Sequence, residues 1–141
     1  MTQQSAMKTK LILIEDEPGH TRLIIKNLMK CADVEILPFD TGRRALEYFD
    51  GKTPDDLRQH LVVLDINMPG IDGFEVLRRL KGNESTAAVP VIVFTTTDHP
   101  DEIRRCYQEG ANLYLVKPMD YTAFQVTIDF LAASLTMMRL P

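Results

Sequence analysis

The chain has 141 residues, 45% of them hydrophobic and 26% charged, with 16 Lys plus Arg against 20 Asp plus Glu and a net charge of −4. That is the length of one domain able to bury its own core, and the composition excludes an intrinsically disordered chain. The acidic balance argues against direct nucleic-acid binding, and two cysteines without a CxxC pair argue against a disulfide scaffold or a thiolate metal site.

Cys31 and Cys106 read as small apolar thiols of a reduced, cytoplasmic protein. The polar residues before Lys10 lack the apolar stretch of a signal peptide. The strongest apolar runs are Leu11–Ile14 and Leu61–Leu64, far short of the ~20 residues that span a bilayer, so no membrane partner is expected.

Lys10–Ile14 reads as a first strand, closed by Glu15-Asp16-Glu17, with residues 1–9 a flexible tail ahead of a domain over 10–141. Pro18 suits the first turn of a helix on which Ile24, Leu28 and Cys31 share a face. Val34–Leu37 is a second strand, and Thr41-Gly42 opens a helix carrying Ala45, Leu46 and Phe49. Residues 50–56 are a loop by composition. Leu61–Leu64 is a third strand and Phe74–Leu80 the helix after it. Pro90 introduces a fourth strand, Val91–Phe94, followed by a helix over Pro100–Glu109 that stops at Gly110. Leu113–Val116 is a fifth strand, and Tyr121 to about Met138 is a final long helix, leaving two or three residues as a tail. Strands that are apolar throughout, alternating with amphipathic helices, specify a doubly wound α/β sandwich: a five-stranded parallel sheet flanked by five helices.

In such a sheet, ligands bind beyond the carboxyl ends of the strands. Those ends carry Glu15 and Asp16, then Asp65, then Thr95-Thr96-Thr97, then Lys117. Two carboxylates ~5 Å apart repel by about 3 kcal/mol at an effective dielectric of 20, and one Lys cannot balance three acids. Oxygen donors without His or Cys suit a hard divalent ion, Mg²⁺ being the abundant candidate. A Lys and a Thr hydroxyl beside such an ion can hold the oxygens of a transferring phosphoryl group.

Rival motifs fail. Asp65-x-Asn67 with Gly70 lacks the Glu of a calcium loop, Val76 standing in its place, and no GxGxxG or Walker loop follows the first strand. His20, His60 and His99 have no metal-ligand spacing and are expected at the surface.

Leu13-Ile14-Glu15-Asp16-Glu17, Leu64-Asp65-Ile66-Asn67-Met68-Pro69-Gly70, Phe94-Thr95-Thr96 and Tyr114-Leu115-Val116-Lys117-Pro118 strongly resemble the receiver domain of two-component response regulators. The resemblance runs from about Thr9 to Met138 and implies a flavodoxin-like sheet of order 2-1-3-4-5. It implies that Asp65 takes a phosphoryl group from a sensor histidine kinase or a histidine phosphotransfer protein. On the same basis Glu15, Asp16, Asp65 and the backbone carbonyl of Asn67 serve Mg²⁺, Glu15 through water. Thr95 matches the switch hydroxyl, Lys117 the phosphate-binding Lys, and Tyr114 the switch aromatic. The Thr-Thr-Thr stretch and the long last helix resemble stand-alone regulators of the phytochrome-associated type, although this chain has no Trp late in that helix. The expected molecule is therefore a single-domain signalling phosphoacceptor, not an enzyme, acting through a partner or by relaying its phosphate. An Mg²⁺-dependent aspartyl-phosphate phosphatase and a receiver that never takes phosphate are the alternatives. Asn67, standing where the phosphatase signature has a second Asp, disfavours the first.

The last helix carries a further signal. At ~100° per residue, Tyr121, Phe124, Ile128, Leu131, Leu135 and Met138 form the stripe that faces the sheet. Val126, Phe130 and Met137 form a second apolar stripe turned toward solvent, and this predicts a two-fold homodimer with Phe130 near its centre.

Overall fold

The computed structural model describes residues 8–31, 33–70 and 72–141, except for the side chain of residue 31. Most of the expected N-terminal tail and the Cys31 thiol therefore lie outside the described residues. The elements alternate strictly: β1 (Thr9–Ile14), α1 (Pro18–Cys31), β2 (Val34–Phe39), α2 (Gly42–Phe49), β3 (His60–Leu64), α3 (Gly73–Gly82), β4 (Val91–Thr95), α4 (Pro100–Gln108), β5 (Leu113–Val116) and α5 (Tyr121–Met137). The five strands are parallel, in the order β2-β1-β3-β4-β5.

The central strands β1, β3 and β4 carry continuous apolar runs because successive residues enter different cores. Ile12, Ile14, Val62, Leu64, Val91 and Val93 face α2, α3 and α4, where they meet Ala45, Leu77 and Cys106. Their neighbours Leu11, Leu13, Leu61, Val63, Ile92 and Phe94 face α1 and α5, where they meet Ile24, Leu28, Phe124 and Ile128. Helix starts follow local capping: the side chains of Thr41, Asp72 and Asp120 accept from the backbone N–H of Arg44, Glu75 and Ala123, respectively.

Several boundaries differ from the sequence reading. β2 continues through Pro38 to Phe39. An edge strand tolerates proline there, because Phe39 accepts from Glu15 N at 3.0 Å toward β1, which turns the polar groups of Pro38 to the open edge. The final residues are no free tail. Gln59, in a left-handed conformation at φ 61°, donates from its backbone N to Pro141 O at 2.8 Å and from its side chain to Leu140 O at 3.0 Å. Leu140 packs against the α1–α5 core.

Tyr121 does not join the inward stripe of α5. It lies in the first turn, past the carboxyl ends of the strands, where no apolar sheet surface remains to cover it, and it is 57% exposed. The surface placement expected for histidine holds only for His99, which caps α4 through its Nδ1. His60 opens the central strand β3 and is buried, with Tyr48 OH donating to its Nε2 at 2.7 Å and its Nδ1–H donating to Arg58 O at 3.0 Å. Burial holds that ring below the usual histidine pKa. No described helix is long and apolar enough to cross a membrane.

Candidate functional site

The rim residues are set by the same ladder that forms the sheet. Beyond the last paired residues, Glu15 N donates to Phe39 O at 3.0 Å, Asp65 N to Ile14 O at 3.0 Å and Lys117 N to Thr95 O at 2.6 Å. Each bond extends a strand by one step, so side chains from β1, β3, β4 and β5 emerge at one edge. The turn after β3 is held by Gly73. A Cβ there would lie 2.2 Å from Ile66 Cα and 2.8 Å from Asp65 O, so only glycine lets α3 start this close to the acid.

Carboxylate oxygens of Glu15, Asp16 and Asp65 lie within 4.8 Å of one another. Lys117 reaches into the group, pairing with Glu15 Oε1 and lying 3.1 Å from Asp65 Oδ2. Asp65 Oδ1 accepts from Asn67 N at 2.9 Å, and Glu15 Oε2 accepts from Glu17 N at 3.1 Å. Glu15, Asp65, Thr95 and Lys117 are buried, whereas Asp16 is half-buried on a groove of about 780 Å³ between α1 and the β2–α2 turn. Burial raises the Glu15 carboxyl to about 7 against the opposing pull of Lys117.

Three carboxylates against one ammonium leave an excess of two negative charges when all are ionised, which a divalent cation would neutralise. The donors are all hard oxygens, as such an ion requires. Both Glu15 oxygens are already engaged, by Lys117 and by Glu17 N, so Glu15 suits a water-mediated contact better than direct ligation.

Of the rim residues expected from the sequence, Glu15, Asp16, Asp65 and Lys117 converge, and Thr95 is tied to Asp65 through Asn67. Tyr114 sits apart from the acids and is already inward, 9% exposed, with its hydroxyl donating to Thr97 O at 2.7 Å. Burial raises that phenol well above the usual tyrosine value. Val126, Phe130 and Met137 lie on the far side of α5, exposed by 62%, 57% and 73%.

The contacts of two residues escaped the sequence reading. The Asn67 side chain donates to Thr95 Oγ1 at 3.1 Å and to Thr97 Oγ1 at 2.6 Å, tying the acceptor loop to the end of β4. His20, expected at the surface, instead leans into the site with Nδ1 3.1 Å from Lys117 Nζ and 3.9 Å from Glu15 Oε2. Burial and the charge of Lys117 hold its pKa below the usual histidine value. The available signal was its position, four residues after Asp16 in the first turn of α1, which brings it back over the end of β1.

A family model for the response regulator receiver domain matches residues 11–129. The crystal structure of a response regulator receiver domain from Rhodospirillum rubrum is 38% identical, with a TM-score of 0.88 over 94% of this chain and 97% of that one. The Mn²⁺-bound form of response regulator Rcp1 is 26% identical, with a TM-score of 0.85 over 94% of this chain and 99% of that one. The phosphorylated cyanobacterial phytochrome response regulator RcpA is 27% identical, with a TM-score of 0.83 over 96% of this chain and 99% of that one.

Proposed function

The chain belongs to the response regulator receiver domain family, and from that premise we propose that it is a single-domain response regulator whose Asp65 takes a phosphoryl group from the phosphohistidine of a sensor kinase or histidine phosphotransfer protein. The observation that carries the reading is the convergence of Asp65 with Glu15, Asp16 and Lys117 at one rim of the sheet. In the transfer, an Asp65 carboxylate oxygen forms the new bond to phosphorus as the P–N bond of the donor breaks, and the departing imidazole takes up a proton. Lys117 then has a phosphoryl oxygen to pair with in place of the Asp65 carboxylate. Thr95, at the end of β4, offers its hydroxyl to another of those oxygens.

Receiver domains bind a divalent metal at an acidic pocket, and Rcp1 has been crystallised with Mn²⁺. For this chain the ion would be Mg²⁺, which Asp16, Asp65 and the Asn67 carbonyl would hold, with Glu15 serving it through water. Bound there, it supplies neutralisation of the charge on the phosphoryl oxygens.

The output is conformational or an onward transfer of the phosphate. Engagement of Thr95 by the phosphoryl group strains its link to Asn67, and through Thr97 that strain reaches Tyr114. The acting unit is the domain that β1 opens at Thr9, one residue earlier than expected, in the cytoplasm, without direct contact to nucleic acid or membrane. The exposed stripe Val126, Phe130 and Met137 closes a homodimer. The likeness to RcpA supports a regulator of the phytochrome-associated type.

The test is labelling with acetyl phosphate. The unsubstituted protein acquires acid-labile, hydroxylamine-sensitive phosphate in the presence of Mg²⁺, and Asp65→Asn folds normally and acquires none. Equal labelling of the variant removes the mechanism. A protein that takes no label would be a receiver that works without phosphate.

A further inference from the structure

We infer that His20 is a positioning residue for Lys117, its Nδ1 accepting the third N–H of the ammonium whose other two go to Glu15 and Asp65. The inference rests on the phosphoacceptor reading for its consequence, though not for its geometry.

An ammonium has three donors and no acceptor. Lys117 is 2% exposed, so water does not satisfy the donors that protein leaves over. Glu15 Oε1 takes one, Asp65 Oδ2 takes another at 3.1 Å, and the remaining neighbour with a lone pair is His20 Nδ1, also at 3.1 Å. A buried charged donor without a partner is costly, so this third contact completes the site. It also fixes the ring's tautomer, because Nδ1 must be bare to accept. Nε2 then carries the hydrogen and points toward Glu17 Oε2, 3.6 Å away.

The ring is held for this task from several sides. Glu17 is itself fastened by the N–H groups of Gly19 at 2.9 Å and His20 at 3.1 Å, so the partner of Nε2 is anchored to the start of α1. The ring packs on Phe124 of α5, with centroids 5.3 Å apart. Turning the ring over would place a C–H against the ammonium. The orientation is thus the one that sets Nδ1 against the ammonium and turns Nε2 toward Glu17.

The consequence concerns where Nζ sits between two unequal carboxylates. Glu15 is the closer partner, and Asp65 is the one that must react. With three acceptors the ammonium has a partner for each of its hydrogens. Without His20 the ammonium has only the two carboxylates to bond, of which Glu15 is the stronger competitor, and the Lys is less well placed to meet a phosphoryl oxygen on Asp65. The role belongs to one atom, Nδ1, and that makes it separable from simple packing on Phe124.

The experiment uses the full chain. Long-range ¹H–¹⁵N spectra of histidine-labelled protein are expected to show His20 with a bare Nδ1 and a protonated Nε2, and Lys117→Met to shift the Nδ1 resonance. Labelling by acetyl phosphate with Mg²⁺ is expected to slow on the order of ten-fold in His20→Leu, which keeps an apolar contact with Phe124; that factor corresponds to about 1.4 kcal/mol in the barrier. His20→Asn restores the rate to within about three-fold, because its Oδ1 lies the same two bonds from Cβ as Nδ1. His20→Gln, whose acceptor lies one bond farther out, behaves as the Leu variant. Thermal midpoints of the three variants confirm that each is folded. A protonated Nδ1, or equal rates in the Asn and Leu variants, overturns the inference. If the unsubstituted protein takes no label, the phosphoacceptor reading falls, and the tautomer and the Lys117→Met shift still decide the contact.

Discussion

Replacing Lys117 with Met should destabilise the protein in a way that depends on pH. Lys117, Glu15 and Asp65 are all buried, and removing the ammonium leaves two carboxylates within 4.8 Å of each other without a cation. At that separation and an effective dielectric of 20 their repulsion is ~3.5 kcal/mol, in line with the 3–5 kcal/mol typical of a broken buried pair. An unfolding entropy of about 2.1 cal/mol/K per residue converts 3 kcal/mol into a fall of roughly 10 °C in the thermal midpoint of a chain this long. Glu15 decides how that loss varies. Its carboxyl is raised from 4.5 to about 7 in the folded protein, so its contribution to stability is fully present below pH 4.5 and is lost as pH rises through about 7. Lys117 is what opposes that rise, so without it the carboxyl takes up a proton more readily still. The variant's deficit should therefore be greatest at pH 8 and should shrink markedly by pH 6. Calorimetry of both proteins across that range, without divalent metal, makes the measurement. A deficit of the same size at pH 6 and pH 8 would refute the argument that uncompensated carboxylate charge is its source.

Added Mg²⁺ should raise the midpoint of the unsubstituted protein, by about 2.7 kcal/mol or roughly 9 °C at a hundred-fold excess over Kd, and Asp16→Asn should shrink the rise. A melting curve indifferent to millimolar Mg²⁺ would count against the metal. Gly73→Ala places a methyl 2.2 Å from Ile66 Cα and should cost about 1–3 kcal/mol while slowing the labelling of Asp65, read by melting and by acetyl phosphate; a midpoint within a degree of the parent would show that the turn can yield. Thr95→Ala should accept phosphate but fail to pass the change to Tyr114, so beryllofluoride should shift the amide resonances around Tyr114 in the parent and not in the variant. Phe130→Asp should sediment as a folded monomer where the parent is a dimer, since a charge at that position is tolerated in water and not inside an apolar contact. A parent that is monomeric at high micromolar concentration, phosphorylated or not, ends the dimer proposal.

The alternation of apolar runs with amphipathic stretches was enough to place ten elements, because local burial pattern decides local structure when both faces of a sheet are covered. The rim residues were legible for a related reason. In a parallel sheet the residue after each strand must emerge at the same edge, so Glu15, Asp65, Thr95 and Lys117 could be grouped without knowing a single distance. The order of the strands was not in the pattern, and came from the resemblance. What the chain alone did not carry were contacts between side chains far apart in sequence. His20 and Lys117 are 97 positions apart, and Asn67 and Thr97 are 30 apart. A histidine with no ligand spacing reads as a surface residue until α1 is packed onto β1 beside α5. His60 reads the same way until Tyr48 is brought over it from α2. Tyr121 reads as core by its spacing, and only the packed structure leaves it exposed in the first turn of α5. Periodicity states which face of an element turns inward, whereas the partner that each polar group finds there depends on how neighbouring elements end, and that is settled only when they pack.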